Sequence, residues 1–242
     1  MAELIKTGVE GLDDVLGGGL PDKSLVLVLG ETGSHYDTFV RQIFYNHVLE
    51  GGKVAYYIVE TSSSDVLEDM SVYNWDLTEF MEKGSWVFVN ALSPDLQELS
   101  ELSPSKTPEV KLLLSQTLTT LKRDFLARVK EGRWTALHIS HLILRYDFRD
   151  VMDTVLYMRM VVRHHSGLHF ILLPRGVHEE QKIQALKHLA DGVFEFGMQE
   201  RGREYEGVFT ITKLRKVLHK TKTHSFMISN RGLYIERAER IV

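Results

Sequence analysis

The stretch LVLVLGETGSHYDTFVRQIFY, Leu25 to Tyr45, constrains the fold more than any other part of this chain. Leu25 to Gly30 is an unbroken apolar run, which marks a strand buried on both faces. A glycine-containing turn follows. From Thr38 to Glu50 the residues Phe39, Val40, Ile43, Phe44 and Val48 recur at helical spacing, and Gly51-Gly52 stops the helix. A buried strand that turns directly into a helix points to a parallel sheet with helices packed on it.

The rest of the chain continues the alternation. Val54 to Val59 reads as a strand, Ser64 to Val72 as a short helix capped by Ser62 or Ser63, and Trp86 to Asn90 as a strand. Glu109 to Lys130 reads as a long helix, Ala136 to Ile139 as a strand, Val151 to His164 as a helix and Leu168 to Leu173 as a strand. The segments Ala190 to Gly197, Gly207 to Lys213, Thr223 to Ser229 and Leu233 to Ile235 look like closing hairpin strands. Ahead of the first strand lies a glycine-rich lead-in, GVEGLDDVLGGGLP, with Gly17, Gly18 and Gly19 before Pro21. Residues 91–108 form a Ser- and Pro-rich loop, long for a compact domain, that suits plain surface or a partner contact. Internal repeats and low-complexity linkers are absent. The expected architecture is α/β: a mostly parallel sheet flanked by helices, ending in antiparallel hairpins, as a single domain over residues 1–242.

Composition narrows the function classes. With 43% apolar residues in 242, the chain can bury a large core. The formal net charge of −4 gives no global basic field, so any nucleic-acid contact must be local. The chain has no cysteine, which excludes disulfides and Cys-type zinc sites. The eleven histidines are scattered, with His164-His165 the one adjacent pair, and no metal site is expected. The N-terminal MAELIKTGVE has no apolar signal region and no run reaches membrane-spanning length, so a cytoplasmic location without membrane insertion is expected.

The strand–turn–helix has the frame of a phosphate-binding loop, G-x-x-x-x-G-K-S/T. Counting from Gly30, the frame runs Gly30, Glu31, Thr32, Gly33, Ser34, His35, Tyr36, Asp37. His35 therefore stands at the second glycine, Tyr36 at the lysine and Asp37 at the hydroxyl residue. Such loops offer backbone N–H groups to phosphates, while the lysine neutralises charge and the hydroxyl ligates Mg²⁺. Tyr36 supplies no cation. Asp37 brings a carboxylate toward the triphosphate, at about 1 kcal/mol per like-charge pair near 4 Å in water and about 4 kcal/mol at an effective dielectric of 20.

Nearly the whole chain resembles the KaiC-like branch of the RecA/RadA P-loop ATPase superfamily. The segments TGVEGLDDVLGGGLP, VAYYIVETSSSDVLEDM, YNWDLTEFMEKGSWVFVNA, HLADGVFEF and KLRKVLHKTKTHSFMISNRGLYI carry the resemblance. It implies a RecA-like three-layer fold. It also implies catalytic positions at which this chain departs from the pattern. A pair of glutamates at the end of the second strand becomes Glu60-Thr61. The acidic residue that orders Mg²⁺ at the end of the fourth strand becomes Ser140, followed by His141. A Lys-x-Arg-x-x-x-His pattern that reaches a neighbouring subunit's nucleotide is matched by Lys213, Arg215 and His219, and strand alternation would set Lys213 and Arg215 on one face.

These departures imply a pseudo-ATPase with degenerate Walker A and Walker B motifs, no catalytic residue and no bound cofactor. It would work by assembling with itself or with an active paralogue. Two alternatives stand beside it. One is an ATPase that still binds ATP and Mg²⁺ through a deviant loop. The other is a recombinase-like factor that meets DNA through the basic segment Lys213–Lys222.

Overall fold

The computed structural model describes residues 3–59, 61–91, 108–202, 204–217 and 221–235, with the backbone alone for 108–116 and 204. The glycine-rich lead-in closes on itself. Strand β1 (Leu4–Ile5) pairs antiparallel with β2 (Leu20–Pro21) around the single turn of α1 (Leu12–Val15). The Asp13 carboxylate ties this turn by accepting from the Thr7 N–H at 2.9 Å and the Thr7 hydroxyl at 2.8 Å.

The apolar run becomes β3 (Ser24–Gly30), buried at every position, and leads through a five-residue loop into α2 (Tyr36–Leu49). Then follow β4 (Lys53–Ile58), α3 (Ser63–Ser71), α4 (Thr78–Glu82), β5 (Trp86–Asn90), α5 (Pro108–Lys130), β6 (Arg133–His138), α6 (Ser140–Arg145), α7 (Phe148–Val162) and β7 (Leu168–Pro174). The chain closes with α8 (Glu180–Leu189), β8 (Gly192–Arg201), β9 (Glu204–Leu214), β10 (Thr223–Ser229) and β11 (Gly232–Ile235). Of the Ser- and Pro-rich loop, residues 92–107 lie outside the described residues.

The nine long strands form one sheet in the order β11-β10-β9-β8-β3-β7-β6-β4-β5. From β8 to β5 every neighbour is parallel, and from β8 to β11 every neighbour is antiparallel. Alternation along β3 divides the core. Val26 and Val28 pack with Phe39, Val40, Ile43 and Phe44 of α2 on one face. Leu25, Leu27 and Leu29 pack on the other face with Phe125 of α5, Val155 and Met158 of α7, and Ile183 and Leu186 of α8. A strand covered on both sides needs apolar residues at every position, which is what made β3 readable from the sequence.

The far edge of the sheet is closed by a side chain. Gln42 of α2 donates through Nε2 to the Leu233 carbonyl at 2.9 Å, and its Oε1 accepts from the Leu233 N–H at 2.8 Å. The amide so takes the place of a neighbouring strand on β11.

Candidate functional site

The loop between β3 and α2 crosses the carboxyl end of the parallel strands. Backbone bonds to β8 and just past the end of β7 hold its entry there. The Glu31 N–H donates to the Phe196 carbonyl at 3.1 Å, and the Arg175 N–H donates to the Gly30 carbonyl at 2.8 Å. Inside the loop, buried Ser34 donates from its N–H at 3.1 Å and its hydroxyl at 2.7 Å to the Glu31 carbonyl. Gly33 has φ 80° and His35 has φ 55°. The left-handed backbone expected of a glycine is thus adopted by His35, and an L-residue there costs roughly 1–2 kcal/mol.

Tyr36 and Asp37 open α2 and both turn toward their own chain. The Tyr36 ring lies against Gly30 so closely that a Cβ on Gly30 would fall 2.0 Å from its Cδ1. The same ring stands 6.4 Å from the His138 ring, tilted by 57°. Asp37 Oδ1 lies 3.0 Å from Nε2 of His138, the last residue of β6. Tyrosine and aspartate at the start of α2 thus meet the histidine that ends β6. Nothing in the sequence linked His138 to the loop, because the contact depends on strand order and not on spacing.

The other expected site positions make contacts of their own. Glu60 lies outside the described residues. Thr61 donates its hydroxyl to Asp65 Oδ2 at 3.2 Å, beside a capping box in which Ser62 and Asp65 satisfy each other's N–H at the start of α3. Ser140 is the first residue of α6, only 4% exposed, and its Oγ lies 2.7 Å from Nε2 of His178. Among the described residues no group of three or more His, Asp or Glu is placed to hold a metal ion.

Strand β9 ends at Leu214, with Thr212 as an extra residue where the register breaks at Val193/Phe194, and Arg215 opens the turn that follows, its N–H donating to the Asp191 carbonyl at 3.0 Å. Lys213 Nζ donates to the carbonyls of Lys187 at 3.0 Å and His188 at 2.8 Å, at the C-terminal end of α8. Burial, then the nearby Arg159, lowers its pKa. Arg215 Nη1 donates to Asp191 Oδ1 at 2.9 Å, and the same carboxylate accepts from Arg159 at 3.4 Å and the Leu25 N–H at 3.4 Å. Both cations are anchored within their own chain. His219 and Lys220 lie outside the described residues.

Two features were missed by sequence reading. Arg41, 8% exposed on α2, donates to Asp69 of α3 at 2.7 Å and to the Tyr56 hydroxyl of β4 at 3.4 Å. Helix α8 was missed although Ile183, Leu186 and Leu189 recur at helical spacing, and it builds one wall of a cleft beside the loop. That cleft, of about 600 Å³, is lined by residues that include Glu31, Thr32, Arg175, His178 and Lys187.

Comparison with known proteins places this geometry. The family model described as "ATPase: KaiC" matches residues 5–240. The chain is 27% identical to a UPF0273 protein of Aeropyrum pernix, across 97% of this chain and 94% of that one. It is 24% identical to the circadian clock oscillator protein KaiC of Parathermosynechococcus lividus, across 95% of this chain and 42% of that one. A KaiC-like protein of Pyrococcus horikoshii, known from its crystal structure, superposes with a TM-score of 0.79 at 21% identity, covering 98% of this chain and all of that one. A mostly parallel sheet flanked by helices, with antiparallel C-terminal strands, is the fold of that neighbour, and with a family match spanning almost every residue, this chain belongs to the KaiC ATPase family.

Proposed function

We propose that this chain is a pseudo-ATPase of the KaiC family, a non-hydrolysing subunit that acts by assembly with itself or with an active paralogue. One observation carries the reading. The two residues at the lysine and hydroxyl positions lie against their own chain, the Tyr36 ring on Gly30 and the Asp37 carboxylate 3.0 Å from His138. Phosphoryl transfer is catalysed mainly by positioning and charge stabilisation. Here the lysine is replaced by a neutral ring and the Mg²⁺-ligating hydroxyl by a carboxylate. Ser140, at the acidic position, is hydrogen-bonded to His178. The core strands are meanwhile intact, with β3 and β7 buried almost throughout, which supports a retained scaffold and a discarded chemistry.

Titration calorimetry with ATP and Mg²⁺ tests this directly. The expected result is no binding heat at ligand concentrations near 1 mM, where even a complex worth about 4 kcal/mol would register. A micromolar dissociation constant overturns the reading. The triple variant His35→Gly, Tyr36→Lys, Asp37→Thr restores the loop pattern and should recover weak binding, while hydrolysis stays poor because Thr61 and Ser140 are unchanged.

A second reading, a deviant loop that still takes ATP, is favoured by the left-handed turns kept at Gly33 and His35. The same titration separates the two. For the assembly, sizing of the native complex and co-purification of its partner is the test. A monomer that captures no paralogue removes that half of the proposal.

A further inference from the structure

The cleft beside the loop has a chemistry of its own. Strand β3 sends its chain to α2 on one face of the sheet, while its parallel neighbour β7 sends its chain to α8 on the other. In open α/β sheets, ligands sit outside the carboxyl ends of strands at such a point of divergence. The lining comes from those two connections: Glu31 and Thr32 after β3, Arg175, Gly176 and His178 after β7, and Ile183 and Lys187 of α8. Its volume of about 600 Å³ lies within the range of small-molecule sites.

The charges in the cleft are of two kinds. Lys187 and Glu195 satisfy each other at 2.9 Å, and Glu195 also accepts from the Thr212 hydroxyl at 3.0 Å. Arg175 is different. It stands 3.6 Å from Glu31 Oε1 and 3.8 Å from Glu195 Oε2, both beyond hydrogen-bond reach, and 43% of its side chain is exposed. Among the described residues its guanidinium makes no hydrogen bond. Glu31 is held by its other oxygen, which accepts from the Met198 N–H at 3.3 Å, and its Oε1 faces Arg175 as a loose ion pair without a hydrogen bond. A polyanion entering here would meet the carboxylates of Glu31 and Glu180. A ligand carrying both charges would satisfy the arginine fork and the glutamate together and leave neither unpaired.

We propose that this cleft binds a small zwitterion of the α-amino-acid type, with its carboxylate on Arg175 and its ammonium on Glu31. The cleft shares Glu31 and Thr32 with the phosphate-loop frame, while Tyr36 and Asp37 lie outside its lining.

The test uses the full chain and L-leucine as probe, with N-acetyl-L-leucine, L-leucinamide and inorganic phosphate as comparisons. Saturation-transfer NMR and calorimetry are the readouts. L-leucine is expected to bind. Capping either end should weaken binding by about tenfold or more, the loss of roughly 1.4 kcal/mol. Arg175→Met should abolish binding with an unchanged melting curve, and Arg175→Lys, which keeps the charge without the fork, should bind at an intermediate level. The proposal is overturned by L-leucine failing to bind at its solubility limit, by the amide binding as tightly as the free amino acid, by phosphate binding where L-leucine does not, or by Arg175→Met binding unchanged.

Discussion

Gly30 and Tyr36 are a matched pair, because the ring occupies the volume that any side chain at position 30 would need. Gly30→Ala forces the ring out and should cost about 1–3 kcal/mol, the usual range for an overpacked site. Gly30→Ala combined with Tyr36→Ala should cost clearly less than the sum of the single changes. Denaturant unfolding of the four proteins measures that coupling, and additive effects would mean that the ring is not what fills the space. The motif frame made the loop legible in the sequence, since glycine count and spacing are local. The partner of Asp37 was not legible, because His138 reaches it only through the order of strands in the sheet. Two other histidines set a pH dependence. Burial lowers the pKa of His47, stacked on Trp134, from 6.5 to about 4, and that of His169, wholly buried beside Thr135, from 6.5 to about 3. Both are neutral in the folded chain, so the unfolded chain takes up their protons first as pH falls. Stability should therefore be complete above about pH 7 and decline below about 6.5, by up to about 1.4 kcal/mol per pH unit for each histidine. Urea melts between pH 7 and 4.5 measure the slope, which His47→Phe should reduce while keeping the stack. An unchanged slope would assign the effect to other groups.

At the scale of elements, the strands were read well and the connections poorly. β3, β4, β5 and β7 are continuous apolar runs in a parallel sheet, a pattern that needs no knowledge of neighbours. The segment between β7 and β8 was left unassigned, because EQKIQALKHL is mostly polar and its buried stripe is only Ile183 and Leu186. The basic segment was read by its spacing alone. Its cations turn out to tie β9 and the following turn to α8 and to Asp191, so their first consequence is for the stability of this corner. Lys213→Ala with Arg215→Ala should destabilise the chain by about 2 kcal/mol, since a charged hydrogen bond contributes about 1.5–3 and Arg215 is half exposed. Thermal unfolding checks this. An unaltered melting temperature would return both residues to the role of a solvated or partner-facing edge.

For the whole molecule, the scaffold of the KaiC family is kept, with the Tyr36 ring packed on Gly30 at the head of α2. Among the described residues no helix is long and apolar enough to cross a membrane. A subunit that assembles, as proposed above, must control which of its borders can meet another copy. Here the bidentate amide of Gln42 occupies both hydrogen-bonding groups of Leu233, and the Glu10 carbonyl accepts the N–H of Ile235 at 2.9 Å. The β11 rim is thereby made non-adhesive, since an unpaired strand edge is a template for a foreign strand. Growth by strand addition has no purchase on that side, which gives the molecule a polarity. A runaway ribbon cannot be started from β11. Replacing Gln42 with Leu reopens the rim. Faster light scattering on incubation, at a concentration where the native chain stays clear, would be the sign that one side chain had been holding the chain back from fibrous growth.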